Sequence, residues 1–428
     1  MNMSLRHQTA RQSFMQRFSL PKQTVNAASA CATAKPSTKE KKVSWFPSRR
    51  SLAAVLLAAV AGLGCSSAFA TSTECQSLLR KRDLAKAQSV CSAALSSQQK
   101  AAKGGQRTEL EALARAHDNL GSLYMLRRQY AEAEAQYRAS LTVREKAFGR
   151  DHHLQAISLL QLADALKLQN KLAEAEPLLL RALKLRQKSL GAHAEATAQV
   201  HHALGMLYTQ IDAAKAESSF REEITILERL YPAGSAATAI AYNNLGILRQ
   251  RNGQPDQAAS YYRSAISMLE RTAPNDQVRL TGPLLNLATV LTEKQQYAAA
   301  KTQLLRLLEI RQQLQGPQSA SAADIHNRLG VLYSRTGDLE FAESELRKAL
   351  TMRENALGTN HLLVAESCTN LGIFLMQRGR LNEALALLRH SAAVTHSLTG
   401  PQSAQTATAW QNLEQLYGRI IQASAVNP

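Results

Sequence analysis

Leucine and alanine recur along this chain on one beat. Leu120, Leu162, Leu204, Leu245, Leu287, Leu329, Leu371 and Leu413 stand 42, 42, 41, 42, 42, 42 and 42 residues apart, and Ala133, Ala175, Ala216, Ala258, Ala300, Ala342 and Ala384 keep the same interval. A period of this size held over seven units points to a solenoid, in which each unit buries its apolar face only against its neighbours. Of the residues, 45% are apolar but only 5% aromatic. That balance favours helices packed through small side chains over sheets.

Within the seven units the ladder leucine is followed by a small residue: Gly121, Ala163, Gly205, Gly246, Ala288, Gly330 and Gly372. Four positions beyond the leucine, Tyr124, Leu166, Tyr208, Leu291, Tyr333, Leu375 and Tyr417 fall on the same helical face and read as core. Asn170, Gly253, Gly337 and Gly379 lie five residues before the ladder alanine, where a chain turning between antiparallel helices needs a left-handed residue. Each unit is therefore helix A, a tight turn and helix B. Gly149, Gly191, Gly316, Gly358 and Gly400 read as left-handed caps ending helix B. The third unit is irregular, with a residue missing near Ile211-Asp212, Glu223 at a small-residue position and an early break at Tyr231-Pro232. A local change of pitch is expected there.

The runs Asn119-Leu120-Gly121-Ser122-Leu123-Tyr124 and Tyr130-Ala131-Glu132-Ala133-Glu134 resemble the tetratricopeptide repeat. The long unit, closed by Arg144-Glu145-Lys146-Ala147-Phe148-Gly149 and again by Arg353-Glu354-Asn355-Ala356-Leu357-Gly358, resembles the subclass found in kinesin light chains. The resemblance implies an all-α fold, a right-handed α-solenoid of antiparallel helix pairs. Residues 113–428 are expected to hold seven pairs and a terminal capping helix, whose Glu414 replaces the small residue. Residues 71–112 read as a degenerate helical hairpin capping the other end.

The formal charge of +18 suggests nucleic acid or an anionic membrane until its position is considered. Residues 1–70 hold ten Lys or Arg and one acid, Glu40, which is half of the excess. Residues 1–40 have the acid-poor, Ser- and Arg-rich composition of a transit peptide. Then come Ser48-Arg49-Arg50-Ser51-Leu52, an apolar run from Leu52 to Leu63, and Ala68-Phe69-Ala70, a site a signal peptidase accepts. This leader resembles the bipartite one of thylakoid-lumen proteins, which implies a chloroplast thylakoid lumen and cleavage after Ala70. The apolar run is shorter than the ~20 residues of a spanning helix, so no stable membrane span is expected after processing. Leu63-Gly64-Cys65-Ser66-Ser67 approximates a lipidation box, which keeps a bacterial periplasmic lipoprotein as an alternative.

No Gly-rich phosphate loop, Cys-x-x-Cys pair or His-Glu-x-x-His motif is present, and no enzyme chemistry, cofactor or metal is expected. His152-His153 and His201-His202 diverge by about 100 degrees on a helix and read as exposed or helix-start residues. The acid pairs Glu132/Glu134, Glu174/Glu176 and Glu343/Glu345 read as solvated faces. Function is expected on the concave surface, which helix A lines in this architecture. The residue before each ladder leucine is Asn119, Gln161, Ala203, Asn244, Asn286, Arg328, Asn370 or Asn412. In tetratricopeptide repeats the matching position faces the groove, and its Asn in kinesin-light-chain-like domains bonds the backbone of an extended peptide. The resemblance therefore implies a peptide-binding groove at Asn119, Asn244, Asn286, Arg328, Asn370 and Asn412, with Arg328 suited to an acid on the ligand. The competing reading is that these amides tie helix A to its neighbour.

These features imply a protein-binding adaptor or assembly factor in an organelle lumen. The alternative is a cytoplasmic cargo adaptor like kinesin light chain, which needs a long heptad segment that residues 1–112 do not contain. Nucleic acid is not expected, because the rungs are mostly neutral amides. Cys75 and Cys91 lie equidistant from Asp83 in the expected hairpin and so face each other. Either they form a bridge in an oxidising compartment or they are two compact core residues.

Overall fold

The computed structural model describes residues 66–426, and the proposed leader therefore lies outside it except for Ser66–Ala70, which begin the first helix. Among the described residues the regular elements are α-helices and one short 3-10 turn. A hairpin of α1 (Ser66–Lys81) and α2 (Leu84–Ala101) comes first. Unit 1 is α3 (Arg107–Leu126) and α4 (Tyr130–Phe148), unit 2 is α5 (Gln155–Leu168) and α6 (Leu172–Leu190), and unit 3 is α7 (Glu195–Tyr208) and α8 (Ala213–Leu230). Unit 4 is α9 (Ala236–Arg251) and α10 (Pro255–Thr272), and unit 5 is α11 (Gln277–Glu293) and α12 (Tyr297–Gln315). Unit 6 is α13 (Ala320–Thr336) and α14 (Leu339–Leu357), and unit 7 is α15 (Leu362–Gln377) and α16 (Leu381–Thr399). The last helix is α17 (Ala404–Val426). Each helix packs on the next, which is the solenoid that the 42-residue beat demands.

The small residue after the ladder leucine sets how closely the two helices of a unit approach. A Cβ on Gly121, Gly205 or Gly246 would lie 2.6, 2.5 or 2.5 Å from the ring of Tyr137, Phe220 or Tyr262 respectively. All three rings are buried on helix B, four residues after the ladder alanine. Where that position is Leu179 or Leu304, the facing register holds Ala163 or Ala288, whereas Leu346 and Leu388 face Gly330 and Gly372, whose Cβ would lie 2.6 and 2.8 Å from them. Every aromatic ring at this position thus meets glycine, while leucine meets either alanine or glycine.

The turns follow the expected chemistry in part. Asn170, Gly253, Gly337 and Gly379 have φ between 62° and 86°, and Arg128 and Gln295 hold the same left-handed turn without glycine. Unit 3 has no such residue: its ladder leucine and alanine, Leu204 and Ala216, are one residue closer than elsewhere, and α7 ends at Tyr208, four residues after the leucine, where the other A helices run on for six or seven. There Asp212 caps α8 instead, accepting from the amides of Ala214 and Lys215 at 3.0 Å. The glycines ending helix B depart from the expected left-handed cap. Gly149, Gly191, Gly316, Gly358 and Gly400 combine φ of 77–93° with ψ of 156–166°. That region is essentially restricted to glycine and sends the chain straight out toward the next helix A.

Successive A helices mostly come into backbone contact with one another, whereas B helices make no comparable contact with their own counterparts among the described residues. The array therefore curves with helix A on its inner side. The steps from unit 3 to unit 4 and from unit 5 to unit 6 lack that close approach. The outer edge of each turn is stitched by charge. Glu134 accepts from Arg138 at 2.8 Å in its own unit, and from Lys171 at 2.8 Å and Gln169 at 2.9 Å in the next. Glu176 accepts from Tyr208 at 2.8 Å, and Glu343 from Arg380 at 2.6 Å. These acids, read from sequence as solvated, are staples between units.

Candidate functional site: the concave face of the A helices

All eight rung positions, from Asn119 to Asn412, are half-buried, lying between the core and solvent on the inner helices. Several also tie neighbouring units together. Asn286 donates to Asn243 at 3.0 Å and Asn370 to Asn327 at 3.1 Å, each partner lying one unit earlier. Asn119 accepts from Gln76 at 3.3 Å and donates to Ser72 at 3.4 Å, both on α1. One amide hydrogen-bonding valence is spent on the stack, while each half-buried side chain keeps a solvent-facing part. No such link joins Asn244 or Asn412 among the described residues.

Arg328 is held rather than free. Its Nε donates to Asp324 Oδ2 at 3.0 Å, and Asp324 Oδ1 accepts from Arg353 at 3.2 Å. Arg353 is fully buried on α14 and also donates to Ser367 at 2.9 Å and to the Leu363 carbonyl at 2.8 Å. A buried guanidinium thus fixes the carboxylate that orients the rung. Unit 1 also buries an arginine against carboxylates, though not ones bonded to its rung: Arg144 donates to Glu111 at 3.0 Å and Ser140 at 3.0 Å, and meets Asp118 at 2.8 Å. Burial raises the Asp118 carboxyl above its ordinary range even against the neighbouring Arg144 charge.

Two further rows share this face, five residues before and two after the ladder leucine, so they flank the rungs at helical spacings of four and three. In units 2 to 4 these rows hold Ile157, Met206, Ile240 and Ile247, with Gln199 and Asp164 the polar exceptions. Ile157 is 37% and Ile247 36% exposed. Sequence reasoning missed this largely apolar border, although the same register that located the rungs locates it.

The histidines are structural. His152 and His361 accept, through Nδ1, from the amides of Leu154 and Leu363 at the starts of A helices. His202 is not exposed as expected but contacts buried Glu223 at 3.1 Å. Burial raises the Glu223 carboxyl, and His202 opposes this. No group of three or more His, Cys, Asp or Glu able to hold a metal occurs among the described residues, and no described helix is long and apolar enough to cross a membrane. Cys75 and Cys91 meet across α1 and α2 as a disulfide with Cα atoms 5.0 Å apart. Cys368 is buried and unbridged, with burial pushing its thiol up to about 12.

The comparisons agree with this architecture. A Clustered mitochondria protein homolog of Aspergillus clavatus is 29% identical over 160 residues, 37% of this chain but 13% of that protein's length. The Signal Transduction ATPase with Numerous Domains protein of Pyrococcus horikoshii, which has a tetratricopeptide repeat sensor, superposes with a TM-score of 0.58 at 14% identity over 82% of this chain and 50% of its own. The TPR-like repeats of a putative kinesin light chain from Podosopora anserina give a TM-score of 0.41 at 18% identity, over 47% of this chain and 96% of theirs. The profile of the tetratricopeptide repeat matches residues 112–188, 165–229, 212–271, 280–355 and 363–423, most of the described helices, and the chain belongs to the tetratricopeptide repeat family.

Proposed function

We propose that this protein is a non-catalytic scaffold that holds peptide segments of other proteins along the A helices, as an adaptor or assembly factor in an organelle lumen. The observation that carries the reading is the line of half-buried rungs on the inner helices, polar at every position but Ala203. An amide both donates and accepts, so such a line suits a peptide main chain, as in other extended-peptide modes. Arg328 adds a preference for an acid on the ligand. Its Nε is engaged by Asp324, and among the described residues its two terminal nitrogens donate to no protein group, so they remain for a carboxylate. The compartment rests on the leader, residues 1–70.

The test is a partner co-purified with the full chain from its own cells. Asn244→Ala with Arg328→Ala is expected to weaken that complex by tenfold or more, roughly the loss of one charged hydrogen bond and one neutral one. Unchanged affinity refutes the groove. Amino-terminal sequencing of the same preparation is expected to begin near Thr71; an intact Met1 refutes the lumenal assignment.

A further inference from the structure

Resting on the groove reading above, we infer that its earlier half, units 2 to 4, takes an uncharged apolar stretch of an extended polypeptide from another protein. The main chain of that stretch lies on the rungs, and its leucine- or isoleucine-like side chains cover the apolar positions of the border rows.

Three observations converge. Ile157 and Ile247 sit on inner helices with more than a third of their surface in water, and Met206 and Ile240 are half-buried beside them. Leu160, adjacent to the rung of unit 2, is half-buried as well. An apolar row on an inner face offers its gain to a ligand that removes it from water. Next, the charges on this stretch answer one another. Lys167 pairs with Asp164 at 2.7 Å, His202 with Glu223 at 3.1 Å, and Arg249 with Glu217 and, at 2.6 Å, with Gln254. Gln199, the other polar member of the border, carries no charge. Between the border rows a charged ligand would be stripped of water with no free counter-charge beside it; the one exposed cation without a partner on these inner helices among the described residues, Arg251, stands a turn beyond Ile247 at the end of α9. Finally, the rung Gln161 has a buried Oε1 with no partner. Turned outward from that position, the amide oxygen would gain the partner it lacks by accepting a main-chain N–H, which an extended segment presents and an aliphatic surface does not.

The chemistry differs from that at Arg328, where the same groove meets charge, so the two halves are separable by experiment. The probe is a fluorescently labelled synthetic peptide alternating leucine with serine, titrated by anisotropy against the full chain; parallel peptides carry aspartate or lysine in place of leucine. The leucine peptide is expected to bind, the charged ones to bind at least about tenfold more weakly, and Ile157→Asp and Ile247→Asp each to weaken the leucine peptide about tenfold or more. Leu180→Asp, on the exposed face of α6, is expected to change nothing, and circular dichroism reports whether each variant keeps its helices. If the aspartate peptide binds best and Arg328→Ala abolishes it, the apolar assignment fails while the groove survives. If Leu180→Asp weakens binding as much as Ile157→Asp, or no peptide binds, both fail. If the chain self-associates and Ile157→Asp dissolves the assembly, the occupant is a second copy and the inference is overturned.

Discussion

Gly246→Ala isolates the contact on which each unit is built. In an open helix the change adds about 1 kcal/mol of stability, since alanine restricts the unfolded chain and suits the helix. Here the new methyl would lie 2.5 Å from Cε1 and 2.7 Å from Cδ1 of Tyr262. The ring cannot withdraw, because Tyr262 is fully buried and its hydroxyl donates to Gln250 at 2.9 Å. Overpacking of a rigid site costs about 1–3 kcal/mol, and the upper end applies, leaving a net loss of about 2 kcal/mol. The double variant Gly246→Ala with Tyr262→Leu reproduces the alanine and leucine register of units 2 and 5. It is expected to recover about 2 kcal/mol relative to the sum of the single changes, read as the coupling energy of a double-mutant cycle. The assay is urea unfolding of the full chain followed by helical circular dichroism, with Ala288→Gly as a control expected to lose about 1 kcal/mol. A neutral or stabilising Gly246→Ala, or strict additivity in the double variant, refutes the size-matching argument.

Glu134→Gln removes the acceptor that joins units 1 and 2. Burial acts to raise the Glu134 carboxyl, but the bonds from Lys171, Arg138 and Gln169 outweigh it and bring the group down to about 2. A depressed carboxylate contributes stability above its ordinary value near 4.5 and loses it as the pH falls through about 2. After allowance for solvent screening the variant is expected to lose about 1 kcal/mol at neutral pH and nothing near pH 2, and a pH-independent difference in urea midpoint refutes this. For the cysteines, Cys75→Ser with Cys91→Ser removes the bridge, expected to weaken the α1 and α2 hairpin by ~3 kcal/mol at most. Thiol titration of protein beginning near Thr71, in denaturant without reductant, is expected to find Cys368 alone reactive; if Cys75 and Cys91 react too, the bridge is absent.

Helix existence and register were legible because a strict repeat samples the same environment many times. The unit boundaries could be written from ladder positions such as Leu120 and Ala133, and each turn from its offset. What stayed hidden depends on distances the period does not encode. A glycine after helix B reads alike whether it adopts the left-handed or the extended positive-φ form, and only the direction of the following helix decides between them. Glu134 and Glu343 look solvated within one unit, because their partners Lys171 and Arg380 lie 37 residues away. Arg328 looked unengaged because Asp324, one turn earlier, is fixed by Arg353 from another helix. Asn286 and Asn370 combine the two roles that sequence could only oppose, stacking bond and groove rung.

The apolar core falls into two large blocks, one running from Ala133 to Leu248 and the other from Ala239 to Leu416, which meet within α9, where Tyr242 packs on both. Unit 3 lies beside that boundary. Its α7 ends early, and Glu223 stands where the other units place Ser140, Ala182, Ala265, Ala349, Ser391 and, in unit 5, Leu307. The A helices of units 3 and 4, like those of units 5 and 6, lack the close backbone approach made at the other steps. In an array whose stability is a sum of neighbour interfaces, the blocks are only as firmly joined as α9 and α10 are to each other. That joint is the Gly246 and Tyr262 contact, closed by the Tyr262 hydroxyl on Gln250. The groove crosses the same place, since Ile240, Asn244 and Ile247 lie on the inner face of α9. A ligand spanning units 2 to 4 would therefore bridge the two blocks, so that the boundary between them and the apolar part of the groove lie on the same helix.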